Sequence, residues 1–291
     1  MIGILMFIVA LLLLLLGFPV AFTFGGVAVI FGVLAEGWSL FAFMPFRIYS
    51  IMQNTVLMAV PLFVFMGIVL QKTRLAEQLL ESMGRLFGEM RGGLAVSTIL
   101  VGALLAASTG VVGASVVAMG VISLPVMLKY GYNRALACGA ICAAGTLGQI
   151  IPPSIVLIIL GDVLGLPVGD LFKAAAIPGL ALVGLYVLYV TILALVTPDH
   201  APAIPFENAD ATVLHRYTEA LRAVVPPLLL IIVVLGSIFA GVATPTESSA
   251  LGGLGAILLA LLYRKFSWQM LYQSALETCL LYTSDAADEL T

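Results

Sequence analysis

Long apolar stretches follow one another along this chain, separated by short polar segments. Residues 2–35 carry no charged side chain, and Gly17-Phe18-Pro19 lies in their middle. A single helix of that length would extend about 50 Å, whereas the hydrocarbon core of a bilayer is about 30 Å thick. The pattern therefore predicts two helices, or one sharply broken helix, with the break near Gly17.

The whole pattern predicts an all-α, multi-pass membrane protein with about seven transmembrane helices and one re-entrant hairpin, at roughly 20 apolar residues for each crossing. In chain order we expect N-terminal scaffold-type helices at 1–71, a cytoplasmic amphipathic segment at 72–93 and the re-entrant hairpin at 94–128. A discontinuous helix and its following turn should occupy 129–173. Further transmembrane helices should follow at 174–265, with a cytoplasmic loop at 197–222.

Composition supports a membrane protein. The 291 residues are 62% hydrophobic and only 9% charged, with a mean hydropathy of +1.20. A soluble domain of this size needs more polar surface. No Lys or Arg precedes the first apolar run, so we expect a retained helix rather than a signal peptide. The cysteines lack metal or redox spacing, and the sequence contains neither a His-Glu-x-x-His pair nor a nucleophile elbow, so an enzyme is disfavoured and no cofactor is expected.

The basic residues favour one orientation. If the N-terminus is outside and each span crosses once, ten of the twelve Lys and Arg residues lie in cytoplasmic segments, as the positive-inside rule requires. Those ten are Lys72, Arg74, Arg85, Arg91, Lys129, Arg134, Arg216, Arg222, Arg264 and Lys265. This orientation requires the segment 94–128 to enter and leave the membrane on the same side.

The segment 94–128 is the first candidate functional region. Its centre holds small and hydroxylated residues at Ser108, Thr109, Gly110, Gly113 and Ser115. One helix would be about 52 Å long, and two full crossings would need about 20 residues each. We therefore expect a re-entrant hairpin with a tip at 108–110. Non-helical backbone at this depth must be buried in protein or line a watery cavity. The alternative interpretation is helix packing, because small residues often line such contacts.

A second interruption, GTLGQIIPPS at 145–154, lies within the next apolar stretch. Pro152 cannot donate a backbone hydrogen bond and Pro153 clashes with the preceding turn, so the helix should open there. The freed carbonyls, with the hydroxyls of Thr146 and Ser154, suit Na⁺, and nearby half-helix N-termini favour the carboxylate of an anionic substrate. The alternative is a proline kink that binds nothing.

Five motifs resemble, in order and spacing, the large membrane subunit of TRAP (tripartite ATP-independent periplasmic) transporters, the DctM type. They are GFPVAF, AVPLFVFMG, RGGLAVSTILVGALLAASTGVVGASVVAMG, GTLGQIIPPSIVLIILG and GVATPTESSA. The resemblance implies a fold like the first repeat of the ion-transporter superfamily and the start of the second. It also implies an elevator mechanism in a bacterial inner membrane, where the orientation that the basic residues favour makes the N-terminus periplasmic.

By the same resemblance, the chain is a sodium-driven importer of small organic acids such as C4-dicarboxylates, with Na⁺ as the coupling ion. Its implied partners are a small membrane subunit, a periplasmic substrate-binding protein, the carboxylate substrate and the lipid bilayer, with no nucleic acid. The implied site for Na⁺ and part of the substrate joins the hairpin tip to the discontinuous helix. Its candidate residues are Ser108, Thr109, Gly110, Gly113, Ser115, Gly145, Thr146, Gly148, Pro152, Pro153 and Ser154.

Glu247 has two interpretations. As an acid near a membrane span it is a candidate coupling residue. However, Thr244-Pro245-Thr246-Glu247 has the order of an N-cap, a proline at the first helical position and a glutamate at the third, which is the pattern of a capping box. The structural role is therefore favoured.

The chain departs from the family pattern at its end. Members continue well beyond this length and repeat the hairpin and broken helix in inverted orientation, so residues 266–281 would begin that second half. Residues 282–291, YTSDAADELT, shift to small and acidic character, and we interpret them as a non-native tail. Two other functions stay open: a binding-protein-independent, ion-coupled carboxylate carrier, and a non-transporting membrane scaffold or fragment.

Overall fold

The structure is a computed structural model that describes residues 2–18, 20–73, 75–87, 90–110, 112–203 and 213–284. These residues form α-helices joined by turns and short 3-10 segments, and they contain no β-strand. The helices are α1 (Ile2–Leu15), α2 (Val20–Glu36), α3 (Met44–Met52), α4 (Ala59–Lys72), α5 (Leu75–Phe87), α6 (Gly93–Thr109), α7 (Val112–Lys129), α8 (Arg134–Thr146), α9 (Ile155–Leu164), α10 (Val168–Val196), α11 (Val213–Phe239), α12 (Pro245–Leu262) and α13 (Trp268–Ser284).

The chain divides into two units, one of residues 1–55 with 279–291 and one of residues 56–278. In the first unit, α1 and α2 pack together through Ala10, Val27 and Phe31. Gly17 lies between the two helices with a φ of +87°. The predicted break of the first apolar stretch is therefore confirmed.

By length and composition, four helical segments could each cross a membrane: Phe22–Ser39, Val168–Val196, Tyr217–Phe239 and Pro245–Leu262. A bent pair over 41–52 and 56–72 would make a fifth span. The sequence led us to expect about seven, and the difference arises because several apolar stretches are divided into helices too short to cross alone. Those shorter helices are Ile2–Leu15, Gly93–Ser108, Ser115–Lys129 and Ile155–Leu164.

The second unit contains two hydrophobic cores. The hairpin core consists of the buried faces of α5, α6, α7, α8 and α10, and includes Leu79, Ile99 and Met119. The α4–α12 core consists of the buried faces of α4 and α12 with parts of α9, α10 and α11, and includes Met66 and Ala256. Helix α6 of the hairpin thus packs against α5, α8 and α10, whereas α7 packs against α6 and α8 and leaves residues such as Val117 and Val121 exposed.

Two boundaries differ from the sequence-based expectation. The turn expected at the end of the segment 129–173 is confined to 165–167, because Gly165 ends α9 in the left-handed conformation with φ +66° and α10 already begins at Val168. The loop expected at 197–222 is also shorter, since α11 begins at Val213. In both places a helix carries polar residues on its first turns, so the change from polar to apolar residues does not mark the helix start.

The amphipathic segment expected within 72–93 contains α5, which buries Leu79 and Leu80. At the other end of the unit, Lys72 Nζ in α4 lies 2.7 Å from Glu277 Oε1 in α13. Helix α13 continues to Ser284 and so includes the first residues of the segment 282–291. Residues 285–291 lie outside the described residues.

Candidate functional site

Helices α6 and α7 form an antiparallel hairpin. At its open end, the N–H of Leu94 donates to the hydroxyl oxygen of Tyr132 at 3.3 Å. At its closed end, Gly110 adopts a φ of +64° and its N–H donates to the carbonyl of Ala106 at 2.9 Å. The two ends of the segment therefore lie together, as entry and exit on one side require. That this hairpin is re-entrant in a bilayer stays a prediction.

The open end of the hairpin is held by two consecutive carbonyls after α10. The N–H of Gly92 donates to the carbonyl of Ala201, and the N–H of Asn133 donates to the carbonyl of His200, both at 3.0 Å. Gly92 has a φ of +77°, and a methyl group there would lie 2.8 Å from Ala194 Cβ. We name this arrangement the base clamp. Sequence reasoning missed it, because a backbone carbonyl can come from any residue type.

Tyr132 fills the turn between α7 and α8, next to the base clamp, with only 4% of its surface exposed. Burial raises the pKa of its phenol, and hydrogen bonds with the backbone of Leu94 and Ala95 partly oppose this rise. The hydroxyl is therefore neutral at physiological pH and accepts a hydrogen bond from the first turn of α6. This contact connects the two arms of the hairpin at their base.

The helix that follows the hairpin is discontinuous, as the sequence predicted. Helix α8 ends at Thr146, residues 147–149 form a 3-10 turn, and α9 begins at Ile155. Pro152 and Pro153, joined by a cis peptide bond, are buried within the break. The structure therefore separates two half-helices at the position where the two prolines interrupt the hydrogen-bond ladder.

Ser154 ends the break and caps α9. Its hydroxyl accepts a hydrogen bond from the N–H of Leu157 at 3.4 Å and donates to the carbonyl of Gln149 at 2.6 Å. The side chain is completely buried. One hydroxyl thus satisfies a free donor of the helix N-terminus and a free acceptor of the break.

The hairpin tip lies against the start of α9. A methyl group on Gly110 would lie 3.0 Å from Ile155 Cγ1 and 3.5 Å from the backbone nitrogen of Ile155. Gly110 is itself buried. Because Ile155 follows Ser154 directly, the closed end of the hairpin meets the N-terminal end of the second half-helix. The sequence did not single out Ile155.

The glycines of α8 and of the break lie on the backbone of the hairpin. A methyl group on Gly148 would lie 2.5 Å from the carbonyl oxygen of Ala106. A methyl group on Gly145 would overlap the side chain of Val116 and lie 3.1 Å from its backbone nitrogen. Close packing therefore explains why these two positions hold glycine, as the packing interpretation requires.

Two candidate hydroxyls bond to carbonyls of their own helices. Ser108, which is 3% exposed, donates to Leu105 at 2.7 Å. Thr146, which is exposed, donates to Ala143 at 2.9 Å. A hydroxyl oxygen that donates one hydrogen bond still has lone pairs, so both groups keep the capacity to coordinate a cation.

The remaining hairpin candidates lie just beyond the tip. Ser115 is buried in α7, with 1% of its surface exposed. Gly113 is exposed, and a methyl group there would meet no atom within 4 Å, so the structure does not bring this residue into the contact between hairpin and break. The side chain of Thr109 lies outside the described part of the chain.

Thr244 and Glu247 form a capping box at the first turn of α12, with Pro245 at its first position. The N–H of Glu247 donates to Thr244 Oγ1 at 3.3 Å, and the N–H of Thr244 donates to Glu247 Oε2 at 2.7 Å. The hydroxyl of Thr244 also donates to the same carboxylate oxygen at 2.8 Å. The Glu247 carboxylate thus satisfies a backbone donor at the helix N-terminus.

Residues 7–284 match the family model described as the tripartite ATP-independent periplasmic transporter, DctM component. The chain therefore belongs to the DctM family of TRAP transporter large permeases. This is a family of transporter permeases and not of enzymes.

Curated relatives agree with this assignment. The C4-dicarboxylate TRAP transporter large permease DctM of Pseudomonas aeruginosa is 34% identical over 215 residues, which cover 74% of this chain and 49% of the relative. The same-named permease of Vibrio cholerae is 31% identical over 259 residues, which cover 88% of this chain and 55% of the relative. The ectoine/5-hydroxyectoine permease UehC of Ruegeria pomeroyi is 32% identical over 281 residues, which cover 94% of this chain and 63% of the relative. The chain spans about half the length of the C4-dicarboxylate relatives.

Proposed function

We propose that this chain forms part of the large membrane subunit of a sodium-coupled secondary transporter that imports small organic acids. The observation that carries the proposal is the contact of Gly110, at the hairpin tip, with Ile155, the first residue of α9. Secondary transporters commonly bind substrate and coupling ions where discontinuous helices expose their ends at mid-membrane depth. The hairpin and broken helix of this chain bring such ends together.

The chemistry of the contact suits a carboxylate and a sodium ion. The N-terminus of α9 supplies free N–H groups and the positive end of a helix dipole, which favour an anion. Backbone carbonyls of the break and the hydroxyls of Ser108 and Ser154 are hard oxygen ligands for Na⁺. A sodium ion would bind the lone pairs of these hydroxyl oxygens while their hydrogens stay bonded to the carbonyls of Leu105 and Gln149.

The proposed assembly follows the family. A periplasmic binding protein delivers the acid, a small membrane subunit accompanies the large one, and the complex lies in a bacterial inner membrane with the N-terminus of this chain in the periplasm. Relatives named for C4-dicarboxylates make these acids the first substrates to test, while other relatives are named for ectoine.

The test measures sodium-dependent uptake of succinate by the full-length subunit, reconstituted in proteoliposomes with its small subunit and binding protein. Ser154→Ala removes one of the proposed oxygen ligands of Na⁺, and the loss of a polar contact to a charged group costs about 1.5 kcal/mol, so we expect the sodium concentration for half-maximal uptake to rise about tenfold. Ser108→Ala should act in the same direction. Ser39→Ala is the matched control, because Ser39 also donates to the carbonyl three residues earlier, at 2.9 Å, in the first unit.

Each outcome distinguishes the alternatives. Unchanged sodium dependence in both Ser108→Ala and Ser154→Ala would remove the proposed site. Uptake that persists without the binding protein would favour a binding-protein-independent carrier. If no uptake occurs and sodium leaves the thermal unfolding temperature unchanged, the packing interpretation would hold and the chain would be a scaffold.

A further inference from the structure

A polar cavity of about 510 Å³ lies between α5, α11 and the end of α12. The residues of its lining that carry the argument are Glu81, Ser82, Arg85, Glu219, Arg222 and Tyr263. One candidate span begins at Tyr217 and another ends at Leu262. If these two candidate spans cross the bilayer, the cavity lies at its polar boundary.

The charges of this cavity are unevenly paired. Arg85 Nη2 lies 2.6 Å from Glu81 Oε1, and Arg85 Nη1 lies 3.5 Å from Glu219 Oε2. Both carboxylates thus contact the guanidinium of Arg85. Arg222 forms no ion pair with any residue that the structure describes. Its backbone carbonyl accepts a hydrogen bond from the hydroxyl of Tyr263 at 3.3 Å, which joins the end of α12 to α11 at the cavity.

Two exposed leucines directly precede residues of the cavity lining along the chain, Leu221 before Arg222 and Leu262 before Tyr263. Leu221 is 64% exposed and Leu262 is 70% exposed. Exposed leucines at the end of a membrane span suit the acyl chains of a lipid. A guanidinium can donate two parallel hydrogen bonds to a phosphate group. A soluble anion would use the guanidinium but not the leucines.

We propose that this cavity binds the phosphodiester headgroup of an anionic membrane phospholipid, with Arg222 as its main ligand. Arginines in pockets between membrane helices bind such headgroups on the cytoplasmic side of other proteins, and the orientation that the basic residues of the sequence favour puts this cavity on that side. Arg85 is a second potential ligand, held by Glu81 and Glu219. The site is separate from the hairpin tip, and its occupancy does not depend on transport.

The test compares lipid binding by the full chain, purified in detergent, using palmitoyl-oleoyl phosphatidylglycerol and phosphatidylcholine as probes. Native mass spectrometry counts the retained lipids and titration gives their affinities. We expect one retained phosphatidylglycerol and an affinity that Arg222→Gln lowers about fivefold, as one basic residue at a membrane surface contributes about 1 kcal/mol. Arg134→Gln, at the start of α8, removes the same charge outside the cavity and should leave the affinity unchanged.

A second variant makes the result independent of folding defects. Glu81→Gln removes the closer carboxylate partner of Arg85, so we expect phosphatidylglycerol affinity to rise about twofold to fivefold. Equal losses in Arg222→Gln and Arg134→Gln would overturn the proposal, because diffuse attraction would then explain the binding. Displacement of the lipid by inorganic phosphate alone would also overturn it, since the cavity would then accept a free anion.

Discussion

The hairpin core and the α4–α12 core both depend on glycine, but their glycines face different kinds of atom. Gly148 approaches the carbonyl of Ala106 in the hairpin, where an added methyl group would lie 2.5 Å from oxygen and 2.8 Å from carbon. Gly252 in α12 approaches the side chain of Met66, where an added methyl group would lie 2.6 Å from sulfur. Backbone atoms move only if the helix moves, whereas a methionine side chain changes rotamer.

This difference indicates that the hairpin is held more rigidly against α8 and the break than α12 is held against α4. In the hairpin core, Gly102 also packs on Ala144: a methyl group added to Gly102 would lie 2.5 Å from the Cβ and 3.5 Å from the Cα of Ala144. In the α4–α12 core, Gly253 meets only the ring of Phe65, at 3.4 Å. We infer that the hairpin and α8 behave as one body, while α4 and α12 can adjust against each other.

The largest expected effect is that of Gly148→Ala. The new methyl group must displace the backbone of Ala106, and we expect a loss of about 3 kcal/mol in the free energy of unfolding. Thermal unfolding in detergent measures it. Gly139→Ala is the control, because a methyl group at Gly139 would meet no atom within 4 Å. Equal stability of the two variants would contradict the backbone contact.

Thr244→Ala should have the next largest effect. Thr244 lies at the N-terminus of α12, away from the glycines that pack against α4. Loss of the N-cap hydroxyl should lower the free energy of unfolding by about 1 kcal/mol. Thr244→Ser keeps the hydroxyl and should restore most of the stability. If Thr244→Ser is as unstable as Thr244→Ala, the capping box contributes nothing measurable and the α4–α12 core depends on other contacts.

Lys72→Gln should have a smaller effect at the end of α4. The ion pair with Glu277 joins side chains that are 21% and 50% exposed, and a partly exposed pair contributes about 0.5 kcal/mol. The difference from the unmutated chain should shrink at high salt, because salt screens exposed charges. A salt-independent loss would instead indicate that the aliphatic part of Lys72 matters.

The smallest expected effect is that of Gly252→Ala. Rotation of Met66, with a small shift of Val234, whose Cγ2 would lie 3.2 Å from the new methyl group, should accommodate it, and alanine favours a helix over glycine, so we expect a change within about 0.5 kcal/mol of zero. Unfolding temperatures of this variant and of Gly148→Ala give the direct contrast between the two cores. A loss as large as that of Gly148→Ala would show that the α4–α12 contact is equally rigid.

Local sequence signals predicted the features that depend on neighbouring residues. Gly17 marked a helix break, the two prolines at 152–153 marked the discontinuous helix, and Thr244 with Glu247 marked a cap. Each signal acts within one turn of backbone, so the feature can be predicted from neighbouring residues without the rest of the fold. The length of the charge-free segment 94–128 was equally informative, because a hairpin is the arrangement that fits both its length and its basic flanks.

Other helix boundaries could not be predicted from neighbouring residues. Helix α11 begins at Val213, within residues whose charges indicated a loop. Polar side chains are compatible with a helix that continues beyond the hydrocarbon, so polarity alone does not separate a loop from an extended helix. The same ambiguity placed the start of α10 too late.

The sequence by itself determined that this is a helical membrane protein of the TRAP large permease type, with a hairpin and a broken helix in succession. Only the tertiary structure decided which atoms meet. It put Gly110 against Ile155, Gly148 against Ala106, and the carbonyls of His200 and Ala201 on the base of the hairpin. The physical reason is that helix breaks arise from local backbone chemistry, whereas contacts between distant backbones depend on how the helices pack and leave no mark on residue type.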